Sequence, residues 1–182
     1  MALRLRTERL ELVAATLALV EAELAGSQHL GRLLQAEVES WPPPLNDEHS
    51  LRWTIDKLRA HPEHAGFFAW YVVLAEDEKC QIGKRILVGM VGITGPPDQS
   101  GAIEVGYSVL EKFQKQGIGT EATRALIKWA FDHPAVQTIT AQTFPALAPS
   151  IRVMERCGMS CLGDGSEPGT IRYGITREQF QK

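Results

Sequence analysis

The stretch QKQGIGTEATRALIKWAF, Gln114–Phe131, constrains this chain more than any other. Two glycines, Gly117 and Gly119, stand where a helix opens, and Ile118, Ala122, Ala125, Leu126, Trp129 and Ala130 repeat at helical spacing through it. Glycine lets a backbone approach a ligand closely, and the first turn of a helix offers unpaired N–H groups at its positive end. Gln114, Lys115 and Gln116 add donors beside that turn, and Thr120 adds a hydroxyl. Three readings compete: a simple backbone turn into a helix, a dinucleotide fingerprint, and a cradle for a pyrophosphate. GIGTEA satisfies G-x-G-x-x-A, but EKFQKQ separates the first glycine from the strand before it. A dinucleotide fold also wants an acid about twenty residues onward, and VQTITAQTF supplies none. The six-residue lead-in suits a loop that wraps phosphates before its helix begins.

The surrounding pattern predicts an α/β chain. RLELVA, Arg9–Ala14, alternates as a first strand with Leu10, Leu12 and Ala14 on one face. Residues 16–40 read as helical, and WPPPL (Trp41–Leu45) then forbids helix. Asn46 or Asp47 caps a second helix that His61–Pro62 ends. Phe67–Leu74, Arg85–Ile93 and Ala102–Leu110 read as strands joined by the turns EDEKCQIGKR and GPPDQSG, an antiparallel meander. His133–Pro134 stops the long helix. A strand at Val136–Phe144, a short helix with Pro149 near its first turn and Gly158 past its end, and a strand in GTIRYGIT follow.

At 182 residues the length suits one domain spanning residues 1–182. A net charge of −3 gives no global field to recruit nucleic acid or an anionic membrane. The first apolar run is broken by Glu8, Arg9 and Glu11, which predicts neither a leader nor a span and hence a cytoplasmic protein. Cys80, Cys157 and Cys161 form no Cys-x-x-Cys pair and read as reduced. Cys157 and Cys161, which could carry an acyl group but have no histidine near them, read as buried, inert thiols. HPEH, His61–His64, lacks a third ligand in the sequence, so no metal is expected. Trp41, Trp53 and Trp70 read as packing residues, with an acceptor pocket as the other possibility.

IEVGYSVLEKFQKQGIGTEATRALIKWAF resembles the central motif of the GNAT N-acetyltransferases, with Gln114, Gly117 and Gly119 matching the Q/R-x-x-G-x-G/A signature in order. EVGYSV, TEATRALIKWAF and SIRVMERCGM, with RTERLEL and ITREQF at the edges, resemble its RimJ/RimL-type branch, which acetylates ribosomal-protein N-termini. The resemblance implies a mixed, twisted, mostly antiparallel sheet with helices on both faces, splayed between Ala102–Leu110 and Val136–Phe144. It implies acetyl-CoA as cosubstrate, its pantetheine arm at the splay and its diphosphate on Gln114, Lys115, Gln116, Gly117, Ile118, Gly119 and Thr120. Amides near Val109 and Leu110 would hold the thioester carbonyl. A homodimer is frequent in the branch.

The reaction implied is direct attack of a primary amine on the thioester. An α-amino group titrates near about 7.7–8.0 and a lysine near about 10.4, so an N-terminus needs only a modest base. Glu104 is the candidate, sharing a strand face with Gly106 and Ser108 and opposite Ile103, Val105 and Tyr107; a bulge would invert those faces. A solvated strand glutamate is the plainer alternative. Ser150 corresponds to the serine of the branch's N-x-x-S segment and is the candidate acid for the departing thiolate; as a plain helix cap it would do nothing more. Leu147 stands where the branch has asparagine. The acceptor is expected against Gly26–Leu34 and Trp41–Leu51. A peptide α-amine comes first, an aminoglycoside- or polyamine-like small amine second, and a non-catalytic acyl-CoA-binding module is the rival class. Several acids in the acceptor groove would favour a polycation.

Overall fold

The computed structural model describes residues 2–44, 46–75 and 83–181. Among the described residues the strands and α-helices in chain order are β1 (Arg4–Arg6), β2 (Leu10–Ala14), α1 (Leu17–Ala25), α2 (Ser27–Leu34), α3 (Glu48–Ala60), β3 (Ala69–Leu74), β4 (Ile86–Ile93), β5 (Ala102–Val109), α4 (Ile118–Phe131), β6 (Thr138–Thr143), α5 (Ala148–Arg156), β7 (Ser160–Asp164), β8 (Ile171–Thr176) and α6 (Arg177–Phe180). The strands form one eight-stranded sheet in the order β1-β2-β3-β4-β5-β6-β8-β7. Every neighbour is antiparallel except β5 and β6, the pair separated by the α4 crossover.

Two apolar layers explain why the sheet is covered on both sides. Leu10, Leu12, Trp70, Val91, Ile103 and Val105 pack against Ile118, Ala122 and Leu126 of α4 and Met154 of α5. Val13, Tyr71, Val73 and Leu87 face the other way, onto Val20, Leu30, Leu34, Ile55 and Leu58 of α1, α2 and α3. The long helix buries Ile118, Ala122, Leu126 and Ala130 of the expected stripe, leaves Ala125 and Trp129 half-buried, and adds Thr123 and Ile127. Leu126→Ala there would cost about 2–5 kcal/mol.

Three features depart from the sequence reading. The helical stretch after Thr16 is two helices, because Gly26 takes φ 136°, ψ 143° and breaks the hydrogen-bond ladder. Strand β1 is only three residues long, too short for a periodicity to show. Strand β7 is exposed at every position and carries no apolar alternation. Asp47 caps α3 as expected, accepting from the Ser50 amide at 2.8 Å. Cys80, Leu45 and most of the EDEKCQIGKR turn lie outside the described residues. Among the described residues, no helix is long and apolar enough to cross a membrane.

Candidate active site

The site begins where β5 and β6 part. They pair only at Ala102↔Thr138, Ile103↔Ile139 and Glu104↔Thr140. Beyond that, β6 continues beside β8 to Thr143↔Ile171, and β5 continues beside β4 to Gly89↔Val109. The Thr94 amide donates to Glu104 C=O at 3.0 Å and the Leu110 amide to Val88 C=O at 2.9 Å. An antiparallel ladder alternates, so the even-numbered residues of β5 bond to β4. The N–H and C=O groups of Val105, Tyr107 and Val109 therefore point into the splay. Of the two amides named for the thioester, Val109 faces the opening, while Leu110 is already committed to Val88.

A bulge supplies that carbonyl. Val72 opposes Gly89 and Val73 opposes Leu87, leaving Val88 as the extra residue of β4. The bulge lies between β3 and β4, so the faces of β5 keep the predicted order. Gly89 is needed here, since an added Cβ would sit 2.4 Å from Ser108 O.

The turn after β5 is tied back to the strand and to itself by two glutamines. Gln114 donates through Nε2 to Val109 C=O at 2.9 Å, and Gln116 to Lys112 C=O at 3.0 Å. Lys115 is exposed, with φ 61°, and makes no ion pair among the described residues. Gly117 precedes α4 at φ 81°, a left-handed conformation that glycine adopts without strain. The first helical bond runs from the Glu121 amide to Gly117 C=O at 3.0 Å, which leaves the amides of Ile118, Gly119 and Thr120 without a helical acceptor. The Ile118 side chain is core, so this residue offers a ligand only its backbone. A Cβ on Gly119 would approach Val109 Cγ2 at 3.6 Å and Val153 Cγ2 at 3.8 Å, which places this glycine on the wall between β5 and α5. These bare amides and small residues fit a diphosphate lying along the helix entrance.

Residues far away in sequence lock the entrance. Arg9 donates through Nη1 to Gln116 C=O at 3.1 Å and pairs with Glu121 in the first turn of α4. Glu121 also accepts from the Thr7 hydroxyl at 2.6 Å and the Arg9 amide at 3.0 Å. Burial pushes the Glu121 carboxyl up, but these donors outweigh it and hold the group below the usual carboxylate range.

The two candidate proton carriers lie on opposite faces of β5. Glu104 accepts through Oε2 from Gln142 Nε2 at 2.6 Å, leaving its other oxygen outside this contact. Gln142, on β6, is clamped in turn by the Ser166 amide at 2.5 Å and the Ser166 hydroxyl at 3.1 Å. A Cβ placed on Gly106, next along the same face, would meet nothing within 4 Å, so the carboxylate borders open space. On the other face Tyr107 brings its hydroxyl to 2.9 Å from both the carbonyl and the Oγ of Ser150. Burial pushes the Tyr107 phenol up to about 12, so it holds its proton at neutral pH. Leu147, ahead of α5, is exposed and offers no polar contact.

Other residues sort out differently. Trp41 lines a cavity on the α1–α3 face, whereas Trp70 is fully buried and Trp53 packs edge-on against Phe68. Cys157 is buried with its thiol pushed up to about 11 by burial, which leaves it protonated and inert. Cys161 is exposed. His61, Glu63 and His64 come within 4.8 Å of one another on an exposed turn before β3. The sequence reading passed over Tyr107, Gln142, Arg9 and Glu121. For Gln142 the usable signal was parity, because it lies two residues beyond Thr140, the partner of Glu104.

A family model described as an acetyltransferase (GNAT) domain matches residues 9–160. The chain belongs to the GNAT acetyltransferase family. The GNAT chain is 25% identical over 154 residues to an uncharacterised N-acetyltransferase, YjdG, of Bacillus subtilis, covering 85% of this chain and 88% of that one. It is 29% identical over 151 residues to the FsC-acetyl coenzyme A-N(2)-transacetylase of Aspergillus fumigatus, covering 75% of this chain and 62% of that protein. In fold it is similar to RimL, a ribosomal L7/L12 alpha-N-protein acetyltransferase, with a TM-score of 0.64 at 18% identity over 97% of this chain and 95% of that one. The protein is thus an N-acetyltransferase that uses acetyl-CoA.

Proposed function

We propose that this GNAT enzyme acetylates the α-amino group of a peptide or protein N-terminus in a ternary complex at the β5–β6 splay. The observation carrying this reading is the divergence of β5 from β6 immediately after Glu104↔Thr140, beside a helix entrance with three bare amides. Acetyl-CoA supplies the activated acetyl group. The turn residues Gln114, Lys115, Gln116 and Gly117, with the amides of Ile118, Gly119 and Thr120, hold its diphosphate. Val109 N–H donates to the thioester carbonyl oxygen, where negative charge grows during attack.

Glu104 is the base. Gln142 fixes one of its oxygens, and the other takes, through water, the proton that the amine must shed as its nitrogen bonds to the carbonyl carbon. As the carbon–sulfur bond breaks, Ser150 Oγ passes a proton to the thiolate across the other face of β5. Tyr107, which keeps its own proton, orients that hydroxyl, and solvent returns the proton that Ser150 gives up. Likeness in fold to an alpha-N-protein acetyltransferase supports the peptide acceptor. A small cationic amine is the second reading, favoured by acids around the Trp41 cavity.

The test is release of free thiol from acetyl-CoA across a panel of N-terminal peptides and small amines. Transfer should appear with the peptides, and Glu104→Gln should lower kcat by roughly 10²–10³-fold with CoA affinity intact. Full turnover in that variant would remove Glu104 from the mechanism.

A further inference from the structure

The cavity beneath α1 has a volume of about 310 Å³ and Glu23 in its wall. Glu23 is half-buried and held at both oxygens, by Tyr71 Oη at 2.6 Å and by Trp41 Nε1 at 2.5 Å. No lysine, arginine or histidine lines the cavity, and Glu23 joins no ion pair among the described residues. Glu11 and Glu121 behave differently, each facing an arginine, and Glu23 shares its lack of an ion pair only with Glu104 among the half-buried or buried glutamates of the described residues. Apolar walls come from Leu24, Leu51 and Met90, and the two aromatic rings stand 6.2 Å apart.

Sheet register connects this cavity to the splay. Tyr71 pairs with Met90, and Met90 with Ser108, so the three form one row across β3, β4 and β5. Strands lie about 4.8 Å apart, which puts Ser108 roughly 10 Å from Tyr71. Ser108 donates to Pro44 C=O at 2.5 Å, and Pro42 on the same segment lines the cavity.

We infer that Glu23 is the specificity residue of the acceptor site and that the acceptor carries a second positive charge, separated from the amine that is acetylated by at least the spacing of Tyr71 and Ser108, roughly 10 Å. This rests on the transferase reading above. The bound cation would sit against the carboxylate with Trp41 and Tyr71 beside it, where aromatic faces attract a desolvated charge. Burial already raises the Glu23 carboxyl above its ordinary value despite two donors, so an incoming cation relieves a standing cost. A span of about 10 Å equals three extended peptide residues, and a polyamine of comparable length matches it equally. The shared chemistry is an ammonium or guanidinium.

Two measurements test it. The first is calorimetric titration of N,N,N′,N′-tetramethyl-1,7-diaminoheptane, whose two protonated tertiary amines lie about 10 Å apart when extended and cannot retain an acetyl group. It should bind the wild type, weaken by roughly 10–100-fold in Glu23→Gln and recover much of its affinity in Glu23→Asp. The second compares kcat/KM for cationic and matched neutral acceptors in two arms: a linear polyamine against a monoamine, and a peptide with a basic residue near its N-terminus against one without. The wild type should prefer the charged member in at least one arm, which names the source, and Glu23→Gln should erase the preference. CoA titration of each variant reports folding. Equal binding of the probe by wild type and Glu23→Gln, or no binding by either, overturns the inference whatever the transfer results. Loss of probe affinity in Glu23→Gln without transfer to any amine keeps the cation site and rejects the transferase reading instead.

Discussion

The Arg9 guanidinium closes on Glu121 Oε2 with both Nε, at 2.8 Å, and Nη2, at 2.7 Å, tying the approach to β2 to the first turn of α4. The pair matters for the ligand because Glu121 is an acid at the very helix end that should receive a diphosphate. Arginine neutralises it while bracing the Gln116 carbonyl. Arg9→Ala should weaken CoA binding by roughly tenfold, equivalent to about 1.4 kcal/mol, in a calorimetric titration. Arg9→Lys should rescue little, since an ammonium cannot make the forked contact.

Gly117 and Gly119 should separate by kind of defect. Gly117→Ala forces a side chain into the left-handed region and should cost about 1–2 kcal/mol of stability, read from chemical denaturation. Gly119→Ala lies within α4, meets only ordinary contacts, and should keep or raise stability by up to about 1 kcal/mol. Its methyl nonetheless stands where the ligand approaches, so CoA affinity should fall by roughly tenfold.

Tyr107→Phe tests the proton path on the second face. With the phenol removed, Ser150 Oγ loses its partner at 2.9 Å. The expected result is kcat lowered by roughly tenfold at unchanged acceptor KM, with Ser150→Ala and the double variant no worse than the larger single effect. Additive losses would separate the two hydroxyls.

Acid should unfold the protein through a specific carboxylate. Glu11 is only 2% exposed, on β2, and meets Arg85, Arg4 at 3.0 Å and Arg6 at 3.7 Å. Burial pushes its carboxyl up, but the hydrogen bonds and charges of Arg85 and Arg4 overcome this and leave the pKa lowered from 4.5. A folded pKa below the unfolded one means stabilisation that is complete above pH about 4.5 and is lost as pH falls through the folded value. Thermal unfolding followed from pH 7 to pH 3 should show a steep acid decline. Glu11→Gln should be less stable at pH 7 and flatter below pH about 4.5.

Much of this was legible in the residues. The meander from Ala69 to Val109 and the helix behind Gly117 follow from local chemistry: alternation, turn residues, a fixed apolar stripe. The face that Glu104 shares with Gly106 was also within reach from parity along β5, while Ser150 was singled out by the family motif alone. What stayed hidden depends on pairing over long distances. Arg9 and Glu121 are 112 positions apart, Tyr71 and Glu23 48 apart, and Gln142 and Glu104 38 apart. On the helical wheel Glu121 looks like any solvated acid, and only the fold reveals its partner. Leu110 failed as a free amide for a similar reason, since the bulge that presents Val88 C=O is invisible in an unbroken apolar run.

The most direct measurement is amide chemical-shift mapping of 15N-labelled protein titrated with CoA. The largest changes should fall on Gly117, Ile118, Gly119 and Thr120, with Val109 moving in the same titration. If those amides stay still while the shifts gather on α1, α3 or any other surface, the ligand lies elsewhere and the assigned site is contradicted.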